Sequence, residues 1–317
     1  MQDPPDLPDD HRKTDTQPLV TISPNDPMVD QVMANRGKGT SPLRPQEDPA
    51  GAASRMGAVF TSMGNPEKAA GFYEQALEGY RNSTDKPAEA TTLAQLGGVY
   101  WKQQDHDRAL QAYQQAVGLY RLIGNRSGEA TALNCIGLMH DQRGDLETAM
   151  GYYEQALAIL WDAGDKGGEA ATLDVIGMAH RRMGNLREAL SCHQQALVIH
   201  HEQGNKDGEA STRHAMALVY EDMGRPDRAV TFYEWALKLR QQAGDRAGEA
   251  ITAYNLSKVY EKLGHLNEAE TMLSLAVQIE EHTHHPDEAK DRMELIQLRE
   301  KIRKVAAGET QQNRRIK

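Results

Sequence analysis

The chain has 317 residues, of which 26% are charged and only 5% aromatic, and its formal net charge is -10. That composition suits a soluble, helix-rich protein and argues against a general polyanion binder, so nucleic acid is not expected as the main partner. No apolar run approaches the length of a bilayer crossing, and the start MQDPPDLPDDHRK has neither the basic opening nor the apolar stretch of a signal peptide; a cytoplasmic location is the expectation.

Nine of the thirteen prolines precede Ala50, mixed with Asp, Ser, Thr and Gln, and no helical or strand period survives there. Residues 1–49 read as a disordered, Pro- and Asp-rich arm, with a small apolar cluster that includes Leu19, Ile22, Met28 and Val32. From Ala50 the sequence repeats itself every 40 residues for six copies. Alanine marks two phases, one running from Ala69 to Ala269 and one from Ala76 to Ala276. A third alanine series follows Glu89, Glu129, Glu169, Glu209 and Glu249, a position where a carboxylate suits the first turn of a helix.

Glycine punctuates the same frame, as in Gly144 and Gly184 at one turn and Gly124 and Gly164 at the other, so each unit holds two helices and two turns. Pro66 and Pro226 sit at the expected first turn of the second helix, and Asn65, Asp105, Asp145 and Asn185 occupy its capping position. In the first helix, apolar residues recur at three- and four-residue spacing, as in Leu133, Ile136 and Gly137, which predicts one buried face. Small residues at fixed phases let paired helices approach closely. No single unit can bury its apolar faces alone, so the units must stack. After His284 the spacing slips by one, and a single helix over 290–306 reads as a polar cap, followed by a flexible basic tail over 307–317.

These residues resemble the tetratricopeptide repeat: Leu93, Leu96, Gly97, Tyr100, Ala109, Tyr113 and Ala116 follow its pattern in the second copy, and Met216, Ala217, Tyr220, Ala229, Tyr233 and Ala236 in the fifth. The 40-residue length, with Gly-Asp or Gly-Asn and then Gly-Glu-Ala, is most similar to kinesin light chains and the Pins/LGN adaptors. The resemblance covers about 50–289 and implies an all-α superhelical solenoid of six helix-turn-helix repeats with a C-terminal capping helix. It also implies a concave groove, lined by the first helices, that receives a peptide or helix.

Projected onto this chain, the groove positions hold Asn134, Asp174, His214 and Tyr254 in one row and Leu138, Met178 and Leu218 in another, with the mostly charged Trp101, Asp141, Arg181, Glu221 and Glu261 outside them. An apolar centre with a polar rim fits an amphipathic segment, the leucines and methionine taking apolar side chains and the polar row orienting backbone. Two modes known in the family are disfavoured: Leu138 and Met178 stand where a terminal-carboxylate clamp places lysines and asparagines, and Gly98, Leu138, Met178, Leu218 and Lys258 stand where Pins/LGN carries asparagines.

Cys135 and Cys192 lie in separate repeats without metal-ligand spacing, and His140, His180 and His193 take the phase of core tyrosines. His200 and His201, being adjacent on a helix, point apart, and His282, His284 and His285 lack a fixed ligand pattern. No phosphate loop, nucleophile elbow or carboxylate pair is present, so neither cofactor, metal nor enzymatic activity is expected. The reading is a protein-binding scaffold or adaptor. Its alternatives are self-association through the basic C-terminal end, occupation of the groove by the N-terminal arm, or a regulatory subunit controlling a partner enzyme.

Overall fold

The computed structural model describes residues 48–283 and 286–315, with side chains up to 307. The expectations for residues 1–47, and for His284 and His285, lie outside the described residues. From Asp48 onward the described residues form one compact unit made of helices. In chain order these are α1 (Pro49–Ser62), α2 (Pro66–Arg81), α3 (Lys86–Lys102), α4 (His106–Leu122), α5 (Arg126–Gln142), α6 (Leu146–Ala163) and α7 (Lys166–Arg182). They continue as α8 (Leu186–Glu202), α9 (Lys206–Asp222), α10 (Pro226–Ala243), α11 (Arg246–Leu263), α12 (Leu266–Thr283) and α13 (Glu288–Arg315).

Each odd helix from α1 to α11 packs on the even helix that follows, and each even helix packs on the next odd one, which is the stacking of a solenoid. In the middle of the array α5 also touches α7, and α7 touches α9. The first helices of successive repeats therefore converge on one side, which makes that side the inner face.

The caps explain where the helices begin. Asp145 accepts a hydrogen bond from the Thr148 backbone N–H at 3.3 Å, and Asn65 and Asp105 act alike on Lys68 and Arg108. Asn185 makes no such side-chain bond. A second capping series heads the first helices: Asp85, Asn125, Asp165, Asn205 and Asp245 each accept from the backbone N–H three residues on. The turn glycines adopt the left-handed conformation, with φ of 83° at Gly144, and in repeat two Gln104 adopts it instead at 62°.

The alanine series lie at the helix crossings: Ala69, Ala109, Ala149, Ala189, Ala229 and Ala269 are fully buried. Next to them an aromatic side chain of the second helix lies flat on a small residue of the first. A Cβ added at Gly137 would stand 2.5 Å from the Tyr153 ring, which is why the phase tolerates only the smallest residues there.

Two boundaries differ from the sequence reading. The first helix starts at Pro49 rather than after it, because Asp48 caps it by accepting from the Ala50 and Gly51 N–H groups and proline is compatible with the first helical position. The last helix starts at Glu288 and its backbone stays helical to Arg315, through the stretch expected to be a flexible tail. The apolar pattern ends near Ile302, but Lys304, Ala306, Ala307, Glu309, Gln311 and Gln312 favour helix around the single Gly308, and loss of amphipathicity does not by itself end a helix. Leu295 and Leu298 of α13 are buried against Ala269, Leu273 and Val277 of α12, so this helix closes the core at that end.

Candidate functional site

The inner face carries the expected groove residues, and the structure divides them into two groups. The polar row is committed to neighbouring repeats. Asn134 Nδ2 donates to Thr172 Oγ1 at 2.7 Å. Asp174 accepts from Thr212 Oγ1 at 2.7 Å, from His193 Nδ1 at 2.8 Å and from His200 Nε2 at 3.3 Å. His214 Nδ1 pairs with Thr252 Oγ1 at 3.2 Å, and its ring stands edge-on to Tyr233. Each of these residues thus reaches a threonine 38 positions later, on the first helix of the next repeat. They fasten repeats together, so the expectation that they orient a ligand's backbone gives way to a structural role.

Burial alone would raise the Asp174 pKa, but the donors from His193, His200 and Thr212 outweigh it and hold the carboxyl below the usual range. His214 shows the opposite balance. Burial, then the nearby Arg240 and Arg181 charges, push its imidazole down to about 4. Tyr254 is half-buried, with its hydroxyl 3.2 Å from Glu294 Oε2 of α13 and the Lys258 and Lys290 ammonium groups over its ring, so the capping helix occupies its polar tip.

The apolar row also splits. Leu138 is half-buried and packs with Ala149, Tyr153, Ile176 and Ala179 in the core. Met178 is 43% exposed, and together with Leu218 it lines a cavity of about 160 Å³ whose other walls are Asp141, Arg181, Arg182, His193 and Ala215. Of the seven residues expected in the groove, these two are the ones that meet in a concavity.

The charged outer row is largely satisfied within the array. Arg182 pairs with Asp141 and Arg181 with Asp222, each at 2.5 Å, and Lys262 pairs with Glu221 at 2.9 Å. Opposite charges 41 residues apart therefore link successive first helices along the inner rim. A single chain read residue by residue showed only that the row was charged; the regular spacing was the signal for a ladder.

Histidine and cysteine chemistry is structural in the described residues. His200 faces Asp174 and Asn205 while His201 faces Glu209, so the adjacent pair does point apart. His282 Nδ1 lies 2.6 Å from the Gln278 carbonyl oxygen, and no group of three or more metal-ligating side chains converges among the described residues. Burial pushes the Cys135 and Cys192 thiols up, away from reactive thiolates.

These features define a class: an all-α solenoid of stacked helix pairs whose first helices share one face. Tetratricopeptide repeat models match residues 48–122, 168–242 and 209–281, and a second model of the same description matches 94–164. The chain belongs to the tetratricopeptide repeat family. No curated protein matches its sequence.

Among solved structures, BtubC (BKLC) from P. vanneervenii is 20% identical with a TM-score of 0.58, covering 77% of this chain and 94% of its own. The signal transduction ATPase with a tetratricopeptide repeat sensor from Pyrococcus horikoshii is 18% identical with a TM-score of 0.65, covering 80% of this chain and 39% of its own. A Rap conjugation gene regulator of the plasmid pLS20, solved in complex with the Phr* peptide, is 15% identical with a TM-score of 0.57, covering 90% and 87%. At these identities the likeness concerns the fold. No helix among the described residues is long and apolar enough to cross a membrane.

Proposed function

We propose that this protein is a protein-interaction scaffold that holds a peptide or amphipathic segment of another protein against the inner face of its solenoid. The observation that carries this reading is the concavity at Met178 and Leu218: an exposed apolar side chain beside a half-buried one, rimmed by guanidinium groups, in the centre of the first-helix face. The structure of the pLS20 regulator with its peptide supports the reading by analogy, since a chain of the same fold there takes a peptide.

Self-assembly through the basic C-terminal helix is the weaker alternative, because many of that helix's cations are already paired. Arg299 bonds Glu270 and Lys301 bonds Glu261, both at 2.7 Å, while Arg292 bonds Glu281 and Glu288. A regulatory role towards an enzyme would use the same inner face.

The test is a pull-down with mass spectrometry comparing the wild type with Met178→Glu/Leu218→Glu, after circular dichroism shows both helical. Leu138 is left intact because a charge there would enter the core. Loss of a specific partner from the double variant supports the groove; an unchanged partner set moves the binding surface elsewhere.

A further inference from the structure

The two ends of the array differ in composition. At one end α13 buries Leu295 and Leu298 against α12, while its half-exposed Arg292, Arg299 and Lys301 are held in ion pairs. A capping helix needs such a polar outer side. At the other end α1 presents apolar side chains instead: Met56 is 39%, Val59 47% and Met63 68% exposed.

That exposure is out of character for these positions. In the 40-residue frame every later member of the Met56 and Val59 series is buried, from Leu96 and Val99 in repeat two to Leu256 and Val259 in repeat six. Leu96 and Val99 share a core cluster with Tyr73 and Leu77 of α2, the second helix of the preceding repeat. α1 thus carries the face of a first helix, and no second helix precedes it among the described residues. Ala52, Met56, Val59 and Met63 follow one another by four, three and four residues, the seam along which one helix packs on another.

The size of the face decides between occupants. Three side chains exposed to this degree offer a few hundred Å² at most, short of the roughly 800 Å² per partner of a standard interface, so a second copy matches it poorly. A tethered segment needs less area, because the tether already sets an effective concentration on the order of millimolar. Residues 1–47 lead directly into Asp48, the cap of α1. The arm as a whole keeps no period, but its densest apolar group falls in the frame of the array: Val29, Val32 and Met33 stand 40 residues before Ala69, Phe72 and Tyr73, and Asn25 stands 40 before the cap Asn65. The match stops at Gly37, which has the phase of Leu77. From Met33 to Asp48 the chain extends to about 50 Å, against about 21 Å for the length of α1, so reach is not limiting.

We propose that the apolar end face of α1 is covered by this protein's own arm, with residues 25–36 in the place of a preceding second helix and Val29, Val32 and Met33 against Met56 and Val59. The arm is then the cap of the N-terminal end, at a site separate from the inner-face groove and independent of the groove reading.

The test compares amide hydrogen exchange of the full-length protein with that of Val29→Asp/Met33→Asp, whose changes lie outside the solenoid. Exchange of the α1 amides is expected to accelerate on the order of tenfold, while α5 to α8 keep their rates. Val29→Leu/Met33→Leu keeps the segment apolar and is expected to leave α1 as in the wild type. Val59→Asp, on the receiving face, is expected to accelerate α1 alike, and to add little when combined with the arm pair, as two sides of one contact do. Sedimentation is expected to show a monomer throughout.

Unchanged α1 rates in Val29→Asp/Met33→Asp, or full additivity with Val59→Asp, overturn the assignment. A dimer that Val59→Asp dissociates and the arm pair leaves intact also overturns it and gives the face to a second copy. Acceleration confined to α5, α7 and α9 overturns it in favour of an arm lying in the groove. The pull-down with Met178→Glu/Leu218→Glu bears on the groove alone, so either reading can fail without the other.

Discussion

Gln104 carries a backbone φ of 62°, where eight other turns of the array and the turn after α1 use glycine. A side chain in the left-handed region costs roughly 1–2 kcal/mol, of which glycine's greater freedom in the unfolded chain returns a part. Gln104→Gly is therefore expected to stabilise the protein by up to about 1 kcal/mol, read as a rise in the midpoint of urea unfolding. His214 gives a prediction of opposite sign in acid. Its imidazole has an ordinary value of 6.5 unfolded and about 4 folded, so the folded state favours the neutral ring. The stability this contributes is complete above pH 6.5 and is lost as pH falls towards 4, amounting to on the order of 3 kcal/mol. A His214→Gln variant should show a flatter pH dependence of stability across that window; an unchanged slope would place the titration elsewhere.

At the scale of the helix, the glutamates that open the first helices do more than complement a dipole. Glu129 is 1% exposed and is held by Arg121 of α4 and Arg126 of its own helix, both at 2.9 Å. Glu209 is likewise held by His201, Lys206 and Arg213. Burial alone would raise the Glu209 pKa, but the bonds from Arg213 and Lys206 prevail and lower it. Each such carboxylate clips the end of one repeat to the start of the next. Repeat four breaks the series: the position of Arg121 is held by Trp161, which is 72% exposed, and Glu169 keeps only Lys166 among its ion pairs, at 2.7 Å. Charge-assisted hydrogen bonds contribute about 1.5–3 kcal/mol, so Glu129→Ala should cost about that much and Glu169→Ala about 1 kcal/mol less. Thermal melts of the two variants side by side check the difference.

Over the whole array, stability is a sum of repeat and interface contributions, and the ends matter most because they lack one neighbour. α13 covers Leu273 and Val277, so deleting 288–317 leaves the apolar face of α12 in water. The expected outcome is a lower melting temperature and amide-exchange protection lost first in α11 and α12, while α5 to α8 stay protected. Uniform loss of protection would mean that the array unfolds as one cooperative block.

The period, the two helices of each unit, the small residues at the crossings and the family were legible in the sequence, because each depends on neighbours at fixed separations along the chain. The residues of the groove were legible only as positions. Whether Asn134, Asp174 and His214 face a ligand or the next repeat depends on which side chains meet them across an interface, and the threonines that do so lie 38 residues away. Leu138 and Met178 share a phase, yet Leu138 is half-buried against a core cluster while Met178 is 43% exposed at a concavity, a difference that depends on neighbours brought together only by packing. The sequence by itself determined the helices and their order of stacking, through periodicity and local turn chemistry. The tertiary structure decided which polar groups are already spent between repeats and where the first-helix face keeps a concavity, because both depend on side chains that meet only across packed helices.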